Sequence, residues 1–146
     1  MQTRAFLKTL DNHRIVAAIR DAEARSRGEI RVHVTNKPTA EVEAAARARF
    51  EKLDMTKTAL RNGVLIYVAP RSQKFAVIGD AGIHERCGPT FWTGIAAAME
   101  ADFRSGRFTD GIVKGIEAAG EELARDFPRE GKTQDANELP DDVTGD

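Results

Sequence analysis

The sequence predicts an α/β fold with a small mixed sheet, built from a βαβ unit and an antiparallel hairpin strand. Two observations predict it. Residues 64–69 form an unbroken apolar run rich in β-branched and aromatic side chains, which suits a strand covered on both faces. The turn-forming residues 70–73 follow, and residues 74–80 then provide a second extended run that folds back antiparallel to the first. We therefore expect this hairpin in the middle of the sheet.

The first half of the chain alternates between helical and strand-like patterns. Residues 11–27 carry apolar side chains at helical spacing, and the charges on the other face, including Glu23, are typical of a solvated surface. Residues 29–35 alternate between apolar and polar side chains, as expected of a strand with one buried face. A second helix is predicted to begin with Thr39 as its N-cap. The strand–helix–strand order between residues 29 and 69 predicts a βαβ unit with parallel strands.

The second half of the chain is predicted to be helical after the hairpin. Residues 82–88 form an irregular link or one short helical turn, and a proline then opens a helix over residues 89–104. A last helix covers residues 109–126. Residues 128–146 are acidic and poor in apolar side chains, which predicts a disordered tail. Residues 1–127 then form one folded domain.

The composition limits the class of protein. The chain has 146 residues, 41% of them hydrophobic and 31% charged, which is typical of a soluble globular protein. Its net charge of -1 argues against a protein that binds nucleic acid. It lacks an apolar run of the roughly 20 residues that span a bilayer, and its N-terminus has no signal-peptide core. We therefore expect a cytoplasmic monomer without a membrane span, and we leave a protein partner open.

Polar side chains occur where three predicted strands begin or end. Glu29 and Asn62 open two parallel strands, and Asp80 ends the antiparallel strand that returns to the same edge. Arg61 and, in the link before it, Asp54 are close to this edge along the chain. Carboxylate and amide oxygens are hard ligands of the kind that Ca²⁺ and Mg²⁺ prefer. The same atoms are also suited to act as acid, base or holder of a metal-bound water in a hydrolase.

Structural roles explain the same residues. Asp80 begins an Asp-Ala-Gly sequence that is typical of a turn or a helix cap, and Asn62 precedes a glycine and tolerates unusual backbone angles. Arg61 or Arg31 can neutralise Glu29 and Asp80 in ordinary ion pairs. The residues alone leave the functional and the structural interpretation open.

Three sequence blocks point to a family. They are residues 61–70, the Gly-Asp pair at residues 79–80 with the following Gly82, and residues 103–112. Together they resemble the TPM domain family, which is named after a thylakoid-lumen phosphatase, a photosystem II-associated protein and a receptor-modulating protein. The resemblance covers roughly residues 11–127. It implies a three-layer α/β/α sandwich around a mixed sheet and the binding of a divalent cation, and a plant member is described as an acid phosphatase.

The resemblance also implies which residues bind the cation. It assigns this role first to Asp80, then to Asn62, and last to Asp110 in the third block; Glu29 and Asp54 rest on the strand geometry. We predict a small soluble TPM-domain protein that binds Ca²⁺ or Mg²⁺ and acts as a binding or adaptor module. The alternatives are a weak metal-assisted acid phosphatase, for which no catalytic residue is assigned, and an interaction domain without a metal.

Overall fold

The structure is a computed structural model that describes residues 1–129 and 143–146. In these ranges the chain forms six α-helices and four strands. The helices are α1 (Thr3–Thr9), α2 (Asn12–Arg25), α3 (Val42–Lys52), α4 (Ala81–Cys87), α5 (Pro89–Arg104) and α6 (Phe108–Asp126). The strands are β1 (Glu29–Val34), β2 (Gly63–Ala69), β3 (Lys74–Gly79) and β4 (Val143–Gly145).

The described strands form one mixed sheet in the order β3–β2–β1–β4. Strand β1 is parallel to β2, as a βαβ crossover through α3 requires, and β2 is antiparallel to β3, so both predictions are confirmed. The hairpin is not in the middle of the sheet, however. Strand β2 is internal and buried at every residue, whereas β3 is an edge strand with mostly half-buried side chains. An apolar run reports burial, but it does not report which neighbours a strand has.

Helices cover both faces of the sheet and complete a three-layer α/β/α sandwich. On one face, α2, α5 and α6 pack over the large core, in which Ile30, Val32 and Ile66 are fully buried. On the other face, α3 packs over a smaller core around Phe50 and Leu65. Because side chains alternate along a strand, β1 gives its apolar residues to the large core and its polar residues to the face of α3.

The helix bounds agree with the predicted ones except near two loops. Helices α2, α5 and α6 begin and end within two residues of the predicted positions. Helix α3 begins at Val42, with Glu41 and not Thr39 as its N-cap. The reason is that the backbone N–H of Thr39 donates to Ser72 Oγ at 2.7 Å and ties this segment to the turn after β2. The predicted link at residues 82–88 is the helix α4, which is longer than one turn.

The end of the chain differs from the predicted disordered tail. Residues 130–142 lie outside the described residues, so the prediction is untested there. Val143–Gly145 form β4, which is parallel to β1, with Val143 beside Val32 and Gly145 beside Val34. The prediction of disorder is therefore wrong for these three residues. A strand of three residues leaves no recognisable period in a sequence, and its pairing depends on a distant segment.

None of the helices in the described part of the chain is both long and apolar enough to cross a membrane. The cytoplasmic location and the monomeric state stay predictions.

Candidate functional site

The starts of β1 and β2 and the end of β3 meet at one end of the sheet. Glu29 is paired with Gly63, and the backbone N–H of Asp80 donates to the Gly63 carbonyl at 2.9 Å. Glu29 and Asp80 therefore flank the first residue of β2, with Asn62 directly before it. We name the group Glu29, Arg61, Asn62 and Asp80 the strand-end rim. The three segments meet here as the strand order predicted.

The Asp80 carboxylate has the most contacts in the strand-end rim, and its side chain is only 6% exposed. Its Oδ2 accepts a hydrogen bond from Arg61 Nε at 2.7 Å, and its Oδ1 accepts one from Arg61 Nη2 at 2.8 Å. Oδ1 also accepts from the backbone N–H of Ala81 at 2.7 Å, so Asp80 is the N-cap of α4. The bidentate ion pair and the helix cap are the two structural roles that the sequence left open.

Arg61 binds Asp80 from an unusual backbone position. Its φ is +53°, in the left-handed region that residues other than glycine rarely adopt. The Arg61 carbonyl accepts a hydrogen bond from the Gly82 N–H at 2.7 Å, and a Cβ at Gly82 would lie only 2.2 Å from the carbonyl oxygen of Leu60. This close approach explains why a glycine follows the Asp80 block. The hydrogen bond with Asp80 raises the pKa of the Arg61 guanidinium, although half of the side chain is exposed.

Asn62 and Glu29 are both buried beside this ion pair. The Asn62 side-chain Nδ2 donates to the Arg27 carbonyl at 3.0 Å, which ties the start of β2 to the segment before β1. A further buried carboxylate, Glu23 of α2, accepts from the backbone N–H of Ile30 at 3.0 Å. The sequence predicted a solvated position for Glu23, and no local pattern distinguishes it from the other charges of α2.

Asp54 lies close to the strand-end rim, in the turn after α3. The carbonyl oxygen of the next residue, Met55, would be 3.3 Å from a Cβ at Gly63, so this turn lies over the first residue of β2. The Asp54 carboxylate pairs with Lys57 at 3.3 Å, and its side chain is 63% exposed. The turn therefore approaches the rim through a backbone carbonyl, while the Asp54 side chain is paired at the surface.

Asp110 lies at a different end of the molecule. It is in the first turn of α6 and pairs with Arg14 at 2.9 Å. The opposite end of α6 is the one near Glu29, since Leu123 fills the space where a Cβ at Gly28 would lie, 2.5 Å away. At a rise of about 1.5 Å per residue, α6 separates Asp110 from this contact by roughly 20 Å. The structure does not bring Asp110 to the strand-end rim.

The sequence block at residues 103–112 forms the corner between α5 and α6. Directly before it, Asp102 is 2% exposed, and its carboxylate pairs with Lys114 Nζ at 2.9 Å and Arg107 Nη2 at 3.0 Å. The hydrogen bond from Lys114, supported by the one from Arg107, lowers the pKa of Asp102 against the opposing effect of burial. Gly106, at φ +77°, provides the left-handed turn. This block therefore stabilises a helix corner.

The described side chains do not form a ready metal centre. Within residues 1–129 and 143–146, no group of three or more His, Cys, Asp or Glu side chains is arranged to hold a metal ion. A cation at the strand-end rim would need amide or carbonyl oxygens beside the two carboxylates. It would also meet the Arg61 guanidinium at Asp80.

The fold and the rim define a class of α/β/α sandwich in which a Gly-Asp pair ends a strand, caps a helix and binds an arginine of the neighbouring strand. The chain belongs to the TPM domain family, whose family model matches residues 1–122. It is similar to the BA42 protein from the psychrophilic bacterium Bizionia argentinensis, whose structure was determined by NMR. The two are 42% identical, each chain is covered to 90%, and the TM-score is 0.81. No curated protein sequence matches the chain.

Proposed function

We propose that the protein is a binding module in which a divalent cation, Ca²⁺ or Mg²⁺, binds at the strand-end rim and releases Arg61 from Asp80. The observation that carries this proposal is the unequal burial of the ion pair. The Asp80 side chain is 6% exposed, whereas that of Arg61 is 50% exposed. The carboxylate is held in position by the fold, and its positive partner is free to move into solvent at little cost.

The chemistry of the neighbouring groups supports this site. The Arg61 guanidinium stands where a positive charge is needed beside Asp80, and a cation would take over that charge. Glu29 and Asp80 flank Gly63, which has no side chain between them, and the Met55 carbonyl oxygen approaches the same residue. Carboxylate and backbone carbonyl oxygens are the ligands that Ca²⁺ uses.

The release of Arg61 connects cation binding to an adaptor role. In the ion pair, both Nε and Nη2 of Arg61 are bonded to Asp80. Once the cation holds Asp80, the guanidinium is available to an anionic group of a partner, which a planar donor pair binds well. Cation binding would thus expose a positive group at the surface without a change of fold.

The proposal is tested by titrating Ca²⁺ and Mg²⁺ into the full chain and following backbone amide shifts by NMR and the melting temperature. We expect Asp80→Asn to abolish binding and Arg61→Gln to strengthen it, because the competing cation is removed. Asp110→Asn is the matched control, since Asp110 lies far from the rim, and it should bind like the wild type. A cation at 100 times its Kd should stabilise the native state by about 2.7 kcal/mol.

Two outcomes decide against the binding module. If neither the wild type nor Arg61→Gln shows shifts at cation concentrations of about 10 mM, far above the Kd range of even weak protein calcium sites, the rim is an ion pair only. If the protein hydrolyses p-nitrophenyl phosphate with added cation, and Asp80→Asn but not Asp110→Asn loses this turnover, the rim serves a metal-assisted phosphatase instead.

A further inference from the structure

The end of the chain lies along the free edge of β1 in a short parallel ladder. Strand β4 pairs Val143 with Val32, Thr144 with His33 and Gly145 with Val34. Three residues paired on one side form a small contact, and such an edge is a common place for an extended peptide to add a strand. The residues that recognise β4 are therefore informative about what this edge binds.

Beyond β4, the carboxylate of Asp146 occupies a pocket of four hydrogen-bond donors. Its Oδ2 accepts from Thr35 Oγ1 at 2.5 Å and from the backbone N–H of Asn36 at 2.6 Å. Its Oδ1 accepts from His33 Nε2 at 2.9 Å and from Arg49 Nη2 at 3.1 Å. The Asp146 side chain is 18% exposed. All four donors belong to β1, the segment after it and α3, and none belongs to the chain end that they bind.

His33 reads a second feature of the bound segment. It is fully buried and stacks on Tyr67 with ring centroids 5.6 Å apart. Its Nδ1 lies 2.8 Å from Thr144 Oγ1, while its Nε2 faces Asp146. If Nε2 donates to the carboxylate, Nδ1 of a neutral imidazole accepts, and the Thr144 hydroxyl donates. One histidine thus recognises a hydroxyl and a carboxylate two residues apart.

The ionisation of this pocket agrees with that arrangement. Burial lowers the pKa of His33 below its usual value, against the effect of its hydrogen bond with Asp146, which favours the neutral ring. Burial raises the pKa of Asp146, but hydrogen bonds from Thr35, His33 and the Asn36 N–H outweigh it and bring the pKa to about 2. The bound group at neutral pH is therefore an ionised carboxylate.

We infer that the edge of β1 with its carboxylate pocket is a binding site for an extended acidic segment of a partner protein, with Thr at the position of Thr144 and Asp at that of Asp146. Residues 143–146 are its internal occupant. The residue between them is less restricted, since a Cβ at Gly145 would lie an ordinary 3.8 Å from the Val34 carbonyl. This site is independent of the cation proposed at the other end of the sheet.

Competition between the internal and the external segment follows from this arrangement. An arriving peptide makes the same ladder and the same pocket contacts as residues 143–146, so the exchange is close to balanced. The internal segment acts at an effective concentration of about 1 mM, which weakens binding of a peptide in trans. Removing the internal side chains should therefore uncover the site.

The test uses a fluorescein-labelled hexapeptide with the sequence of residues 141–146 and an amidated C-terminus, followed by fluorescence anisotropy. We expect it to bind the full-length variant Thr144→Ala/Asp146→Ala about tenfold or more tightly than the wild type. The same peptide with Asn in place of its last Asp should bind that variant at least about tenfold more weakly, and addition of Arg49→Gln should have a similar effect.

Several results would overturn the inference. Equal binding of the Asp and Asn peptides, or no binding to the double variant at about 1 mM peptide, would make the pocket an internal latch only. If wild type and double variant form mixed dimers in light scattering, the occupant is a second copy and not another protein. If the double variant does not fold, NMR of the wild type decides: peptide that leaves the Thr144 and Asn36 amides unmoved rejects the site, and peptide that releases Thr144 supports it.

Discussion

Two largely buried carboxylates, Asp80 and Asp146, lie at opposite ends of the sheet, and each is bonded to an arginine. Asp80 receives two hydrogen bonds from Arg61, a residue 19 positions earlier in the chain, and one from the adjacent backbone. Asp146 receives its bonds from residues 97 to 113 positions away, and only one of its four donors is a permanent charge.

The difference teaches what each carboxylate is suited to do. A carboxylate held mainly by one mobile cation can exchange that cation for another, which favours a cation site at Asp80. A carboxylate held by several fixed hydrogen-bond donors is recognised by shape and direction, which favours a segment site at Asp146. The same functional group therefore supports two different proposals because its donors differ.

The largest expected effect separates the two ends by breaking one of them. In Gly82→Ala, the new Cβ would lie 2.2 Å from the Leu60 carbonyl oxygen and 2.6 Å from that of Arg61, both of them backbone atoms. We expect this overpacking to lower the free energy of unfolding by about 1–3 kcal/mol in urea denaturation. The peptide site around Asp146 should remain intact.

Gly94→Ala is the matched control for this change. A Cβ at Gly94 meets no atom within 4 Å, and the residue lies inside α5. Alanine should therefore leave the stability unchanged or raise it by up to about 1 kcal/mol. Equal destabilisation by both substitutions would show that the close approach at Gly82 is not what restricts that position.

The second prediction sharpens the comparison through pH. The folded protein holds the pKa of Asp146 at about 2, below the ordinary value of 3.8. A lowered pKa stabilises the fold at pH values above the ordinary one, and this stabilisation is lost as the pH falls from about 4 towards 2. In urea denaturation at pH 5, 4, 3 and 2.5, Asp146→Asn should therefore approach the wild type as the pH falls. A constant difference between the two proteins would contradict the proposed hydrogen bonds.

The smallest expected effect gives the baseline for a carboxylate without burial. Glu43 pairs with Arg47 at 3.0 Å on the surface of α3, and the two side chains are 69% and 63% exposed. Glu43→Ala should change the free energy of unfolding by less than about 0.5 kcal/mol, because such pairs are screened by water. A loss comparable to that in Gly82→Ala would mean that exposure does not rank these sites.

Local periodicity was enough to predict most of the fold, and β1 shows where it stopped. The alternation in residues 29–35 predicted a strand with one buried face, and its apolar residues do line the large core. The polar face was expected to be only partly buried, yet His33 is fully buried beside Tyr67 and Asp146. Alternation identifies the two faces of a strand, but the cover over the polar face comes from distant parts of the chain.

The candidate site divides in the same way. Connectivity alone brought Glu29, Asn62 and Asp80 to one end of the sheet, since parallel strands begin at the same edge and a hairpin returns to it. Connectivity did not reveal that α6 carries Asp110 away from that end, because a residue in a matching sequence block can serve a helix corner as readily as a binding site.

By itself, the sequence determined the order of helices and strands, their directions and the meeting of three strand ends, because apolar periodicity and chain connectivity encode burial and topology. Only the tertiary structure decided that Arg61 occupies Asp80 and that Asp146 closes onto β1. A charged side chain carries no local sign of its partner. Its pairing depends on distances between segments that become neighbours only when the whole chain is folded.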